Sequence, residues 1–304
     1  MVKPMKLLNS NLKRNIFVAA LALAIIAPAT QALEIKAEMA GTIDGGMFPT
    51  DTHVAASGNV DVIGGTTSTS SSVFYHTYGN DAGNFGSRVS GTGEYDITGI
   101  FSYKDTITNA SGSASAYDFD FTVIPGEISL SGAPTGLEFL MAEYSIDIRV
   151  NGATIWDSSA NIYKDATTST FTDSGTFSLG GAYSDSASYS SYMWGVYTDT
   201  VALGVLGVGD SLDFEYILTS HAAGTCFGGG VSGFDGVGGT DGGGSCGSIA
   251  RSGDPFNFGT TDPGSINTGN IKVNQVSEPG SLALMGLGLL GAISARRRKD
   301  KTTN

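Results

Sequence analysis

Apolar and polar residues alternate with a period of two through most of the chain between residues 33 and 276. Leu33, Ile35, Ala37 and Met39 alternate with Glu34, Lys36 and Glu38. Tyr95, Ile97, Phe101 and Tyr103 share one parity, and Glu94, Asp96, Thr98 and Ser102 share the other. The same pattern recurs at Tyr117–Val123, Ile146–Val150 and Leu212–Leu218. Each stretch offers an apolar face to a core and a polar face to water, the pattern of antiparallel strands. No amphipathic segment with a 3.6-residue period lasts three turns. The 44 glycines, with many Ser, Thr, Tyr and Phe, also disfavour helices.

Turn residues punctuate these runs. Asn151-Gly152 lies between Ile146–Val150 and Ala153–Trp156, which predicts a two-residue hairpin. Pro125-Gly126 separates Tyr117–Ile124 from Ile128–Leu130, and Gly209-Asp210 precedes the Leu212 strand. Short strands at this spacing predict an all-β fold, an antiparallel β-sandwich with the jelly roll as a candidate topology. A solenoid is the alternative for a Gly/Ser/Thr-rich chain, but no fixed repeat of roughly 20 to 30 residues is present. Residues 64–72, all Gly, Thr and Ser, read as a polar loop. The sandwich is expected over 33–258. Residues 259–276, with Pro263-Gly264, read as a linker, or as a last strand from Ile271 to Val276.

Both ends break the alternation. Lys3, Lys6, Lys13 and Arg14 precede an apolar run from Ile16 to Ala27, and Thr30-Gln31-Ala32 offers small residues where signal peptidase reads. Residues 1–32 are therefore expected to be a signal peptide cleaved after Ala32. At the other end Leu282–Ala295 carries no charge and is followed by Arg296-Arg297-Arg298-Lys299. An apolar helix over 281–295, extended by Gly280, would rise about 24 Å. That is short of a bilayer core of about 30 Å, so a transmembrane helix here is expected to insert transiently. Snorkelling and local thinning would close the gap. The basic stop is expected to stay cytoplasmic.

These C-terminal elements, a Glu-Pro signature, an apolar helix and a basic cluster, resemble the PEP-CTERM sorting domain of Gram-negative bacteria. Glu278-Pro279 match the last two signature residues, and Ser277 stands where the first Pro usually does. The resemblance, over 277–300, implies recognition by an exosortase and cleavage near Glu278-Pro279. It also implies delivery to the cell surface or extracellular matrix of an exopolysaccharide producer, with membrane anchoring before the cut. It assigns no activity to the body. Ala250–Phe256 resembles the segment after a Gly-rich cysteine loop in some proteins carrying this tag, and Arg251 and Asp254 read as a turn ion pair.

Charge and chemistry add less. The chain has a net charge of −13, and the body between the two end segments, 33–295, holds seven basic and 28 acidic residues. Such a body repels nucleic acid and anionic lipid and suits solubility, neutral polymers or divalent cations. Cys226 and Cys246 are expected to form one disulfide, closing a 19-residue segment that contains ten glycines. The bridge would contribute roughly 3 kcal/mol in the chain-entropy model. Asp235 and Asp241 in that segment faintly resemble calcium-binding Gly/Asp repeats, but their spacing departs from the repeat. No metal site or cofactor is assigned.

His53, His76 and His221 lie at no ligand or triad spacing. Asp118/Asp120 and Asp213/Glu215 are same-face acid pairs that a glycoside hydrolase could use, and solvated strand faces explain them more simply. Tyr183, Tyr189, Tyr192, Trp194 and Tyr197 could stack on sugars or belong to the core. The expected role is structural or adhesive, associated with exopolysaccharide or biofilm, with no enzymatic activity. A carbohydrate-binding module is the alternative, and a secreted hydrolase has least support.

Overall fold

One long strand pairs with four others and joins the two halves of the main sheet. In chain order the strands are β1 (Glu34–Ile43), β2 (Gly46–Ala55), β3 (Asn59–Thr67), β4 (Ser72–Asn80), β5 (Phe85–Thr108), β6 (Ser115–Val123), β7 (Gly126–Ser131) and β8 (Phe139–Val150). They continue as β9 (Ala153–Asp165), β10 (Ser169–Gly175), β11 (Ala182–Asp185), β12 (Tyr189–Trp194), β13 (Tyr197–Leu206), β14 (Ser211–Cys226), β15 (Gly247–Ser252) and β16 (Gly269–Gln275). The computed structural model describes residues 33–81, 83–226 and 246–252, and the backbone of 269–275. Among these residues the chain is all-β and antiparallel, with no helix.

The 24 residues of β5 serve two halves of one sheet. Its second half, from Gly93, pairs with β14 on one side and β1 on the other. Beyond them lie β8, β9 and β10 on one flank and β2 on the other. Its first half pairs with β4 and β15, followed by β3 on one flank and β7, β12 and β11 on the other. The strand turns from one half into the other at Gly93, which has φ +85°. Only glycine is comfortable there, and a Cβ at this point would strike Ser70 and Ser71.

This connection distinguishes the architecture from two separate stacked sheets. The sheet is continuous through β5, folds back over its own apolar face and is nearly closed. Its far edges, β10 and β11, meet through side chains: Phe171 stacks on Tyr183 at 4.6 Å, and Ser169 Oγ donates to Asp185 Oδ1 at 3.1 Å. A second sheet of β13, β6 and β16 lies against the core.

The expected parities appear as burial. Alternate residues of β6 from Ser115 to Val123 are buried, and Leu212, Phe214, Tyr216 and Leu218 of β14 face the core. Aromatic contacts join the layers. Phe85 stacks on Phe101 at 4.7 Å, Phe119 meets Phe214 at 4.7 Å, Phe121 meets Trp156 at 4.9 Å and Tyr144 meets Trp194 at 4.2 Å. Each fully buried large apolar side chain contributes roughly 1.5–3 kcal/mol.

The Asn151-Gly152 hairpin forms with Val150 opposite Ala153. Both turn residues have positive φ, 50° and 78°, as a type I′ turn requires. A second turn of this kind, Asp44-Gly45, joins β1 to β2 at φ 49° and 70°. One expectation changes. Residues 64–67 belong to β3 and Ser72 to β4, so only Ser68–Ser71 turn; Thr66 and Thr67 pair with Val73 and Ser72 through the backbone ladder. Pro125-Gly126 separates β6 from β7, as expected, and the two strands belong to different sheets.

The expected signal peptide of 1–32 with Ala32, the stretch 227–245, Asp254, the expected signature Ser277-Glu278-Pro279, the expected apolar helix 281–295 and the expected stop Arg296–Lys299 lie outside the described residues. The backbone of Gly269–Gln275 is the strand β16, which pairs with β6.

Candidate functional sites

The acid pairs singled out by the sequence are tied into strand surfaces. Glu215 sits between two cations: its Oε1 is 3.0 Å from Lys104 Nζ, and its Oε2 is 3.8 Å from Arg149 Nη1. Arg149 also bonds Asp147 at 2.9 Å. Asp213 accepts the Thr106 hydroxyl at 2.9 Å. On β6, Asp120 accepts the Thr200 hydroxyl at 2.7 Å. Apart from Arg149–Asp147, which lies within β8, these are cross-strand polar pairs, which stabilise neighbouring strands modestly.

The histidines are spread over two places. His53 Nδ1 accepts the Asp61 backbone N–H at 3.0 Å, and His76 Nε2 lies 2.9 Å from Asp61 Oδ1. Burial is the main reason the His76 pKa lies below its ordinary value. His221 Nε2 is 3.0 Å from Asp96 Oδ1, on the β14–β5 ladder. Among the described residues no group of three His, Cys, Asp or Glu side chains could hold a metal ion. Asp235 and Asp241 lie outside that search.

The aromatic run divides. Tyr192 and Trp194 are core residues, 1% and 3% exposed. The Trp194 indole N–H donates to the Ile124 carbonyl at 3.1 Å. Tyr183 stacks inside the closure on Phe171. Tyr197 donates to Asp199 at 3.0 Å. Only Tyr189 is an exposed ring, and its hydroxyl donates to Glu127 at 2.9 Å. These five rings do not share one flat surface. Arg251 bonds Glu127 Oε2 at 2.9 Å, because β15 lies beside β7; Asp254, its expected partner, lies outside the described residues.

Cys226 and Cys246 sit at disulfide distance, with Cα atoms 5.5 Å apart. The bridge lies at the bend of β5, where β14 ends and β15 begins.

Three charged groups escaped the sequence reading. Lys164 is 7% exposed and ends the buried parity of β9 after Trp156, Ser158, Ala160 and Ile162. Its Nζ donates to the Ser186 carbonyl at 2.6 Å, reaches Ser190 Oγ at 3.4 Å and lies 3.9 Å from Asp185. Hydroxyl donation from Ser190 is the main reason the Asp185 carboxyl lies below the usual range. Arg88 is buried with its guanidinium 5.3 Å from the Phe74 ring centroid, a cation–π arrangement. Asp105 shares parity with Tyr103 and Ile107, and burial raises its pKa. Burial likewise pushes the neighbouring Tyr103 up to about 12.

Residues 275–299 match the PEP-CTERM protein-sorting motif. A search of curated proteins finds no match to the chain. The motif begins at Gln275, the residue that ends β16. The strand order thus runs directly into the sorting segment, leaving Val276 and Ser277 between β16 and Glu278.

Proposed function

We propose that this is an exported protein of the cell surface or extracellular matrix. Signal peptidase removes residues 1–32 after Ala32. The apolar segment 281–295 then anchors the chain until an exosortase cuts near Glu278-Pro279. The observation that carries this reading is the sorting motif at 275–299. The body is read as a structural or adhesive element within exopolysaccharide or biofilm, without catalytic activity or cofactor. Its acidic surface and its ion-paired strand faces support that reading.

The test is a Glu278→Ala/Pro279→Ala variant expressed in a producing cell that contains its exosortase. The expected outcome is an uncut, membrane-associated form and loss of the external form. External protein at the wild-type size would overturn the reading.

A further inference from the structure

The two strands flanking the cysteines keep one continuous register. Thr225 pairs with Glu94 and Cys226 with Gly93 at the end of β14. Gly247 pairs with Thr92 and Ser248 with Gly91 at the start of β15. Cys226 and Gly247 therefore face adjacent residues of β5, as consecutive residues of one strand would. Twenty residues intervene in sequence, 227–246, yet none is needed to advance the ladder.

The junction is tightly built. Cys226 and Cys246 are both buried, and a Cβ on Gly132 would meet Cys246. Tyr95, just past the bend, reaches back so that its hydroxyl lies 2.6 Å from Ser248 Oγ. Its ring covers Gly91, where a Cβ would collide with it. Ser248 Oγ also reaches the Ala223 carbonyl of β14 at 3.4 Å. Both hydrogen bonds join β15 to β14 or to β5.

We propose that 227–246 is an insertion into a single strand, and that the Cys226–Cys246 bridge is the splice that completes that strand after export. The two thiols give up two protons and two electrons as the Sγ–Sγ bond forms. A disulfide-bearing oxidant of the exported compartment, protein or small molecule, is reduced to a dithiol in exchange. Before oxidation β15 has only hydrogen bonds and packing to hold its register, so the half of the sheet that contains it firms last. This inference rests on the proposed export but not on the C-terminal cut.

Amide hydrogen exchange on the full chain tests it. In a Cys226→Ser/Cys246→Ser variant, exchange at 247–252 and 87–92 should rise about tenfold or more, while the centres of β8 and β14 stay within about twofold of wild type. A second variant deletes 227–246 and carries Cys226→Ser, joining residue 226 directly to Gly247. It should protect 247–252 as well as the oxidised wild type and show no response to reductant. Unchanged exchange at 247–252 in the double serine variant would overturn the proposal. So would equal loss across all strands, or a deletion chain that does not protect β14 and β15.

Discussion

Replacing Lys164 tests how the nearly closed sheet is fastened. Lys164 stands on the core side of β9 and reaches the β11–β12 turn, so it ties the two far flanks of the sheet together. Lys164→Met keeps an apolar stem of similar length and removes the charged donor. A hydrogen bond from a charged group is worth about 1.5–3 kcal/mol. The Ser186 carbonyl loses that donor in a part-buried setting, whereas Asp185 is 40% exposed and recovers water. The expected loss is therefore about 2 kcal/mol, below the roughly 3–5 kcal/mol typical of breaking a fully buried pair. Lys164→Ala should cost roughly 1 kcal/mol more, because the stem packing is also lost.

Asp185→Asn should cost under about 1 kcal/mol, in the range of exposed pairs. Urea unfolding followed by tryptophan fluorescence suits the measurement, since Trp156 and Trp194 are both buried. The midpoint should fall for Lys164→Met while the m-value holds. A Lys164→Met chain within about 0.5 kcal/mol of wild type would refute the reasoning. So would an Asp185→Asn loss equal to that of Lys164→Met.

Three further outcomes are expected. Gly79→Ala drives a Cβ into the Phe101 ring and should cost about 1–3 kcal/mol by overpacking, whereas Gly195→Ala meets nothing within 4 Å and should stay within about 0.5 kcal/mol in the same unfolding assay. Asn151→Ala should cost about 1–2 kcal/mol, because alanine resists φ 50° and the Asp213 N–H loses the Asn151 side-chain acceptor at 2.9 Å. Burial raises the Asp105 pKa, so its contribution to stability is present below the ordinary carboxylate value and is lost as pH rises through the raised folded value. Asp105→Asn should therefore unfold at a higher temperature than wild type near neutral pH, and the difference should vanish at about pH 3; a constant difference across that range would contradict the assignment.

The strands were legible because parity is local. Ile35, Phe119, Ile148 and Phe214 each declare a buried face within five or six residues. Asn151-Gly152 was legible because few residue pairs tolerate two positive φ values. The passage of β5 through both halves was not. Gly91 and Gly93 look like breaks in sequence, yet one marks the seat of the Tyr95 ring and the other a bend within a continuous strand.

Pairing across long separations, such as Leu212 with Ile107, has no local signal. The aromatic run left two readings open because its members have different surroundings: Tyr192 and Trp194 share a core parity, while Tyr189, close by in sequence, lies in solvent. Lys164 could have been found, because it occupies the next position of the same parity after Trp156, Ala160 and Ile162. Asp105 carried the same signal between Tyr103 and Ile107. The sorting motif was the clearest functional feature, since it depends on order along the chain rather than on folded geometry.

The intact mass of the protein recovered from the cell exterior tests the central claim most directly. The account predicts a chain that begins after Ala32 and ends near Glu278. External protein that retains Arg296-Arg297-Arg298-Lys299 would contradict it.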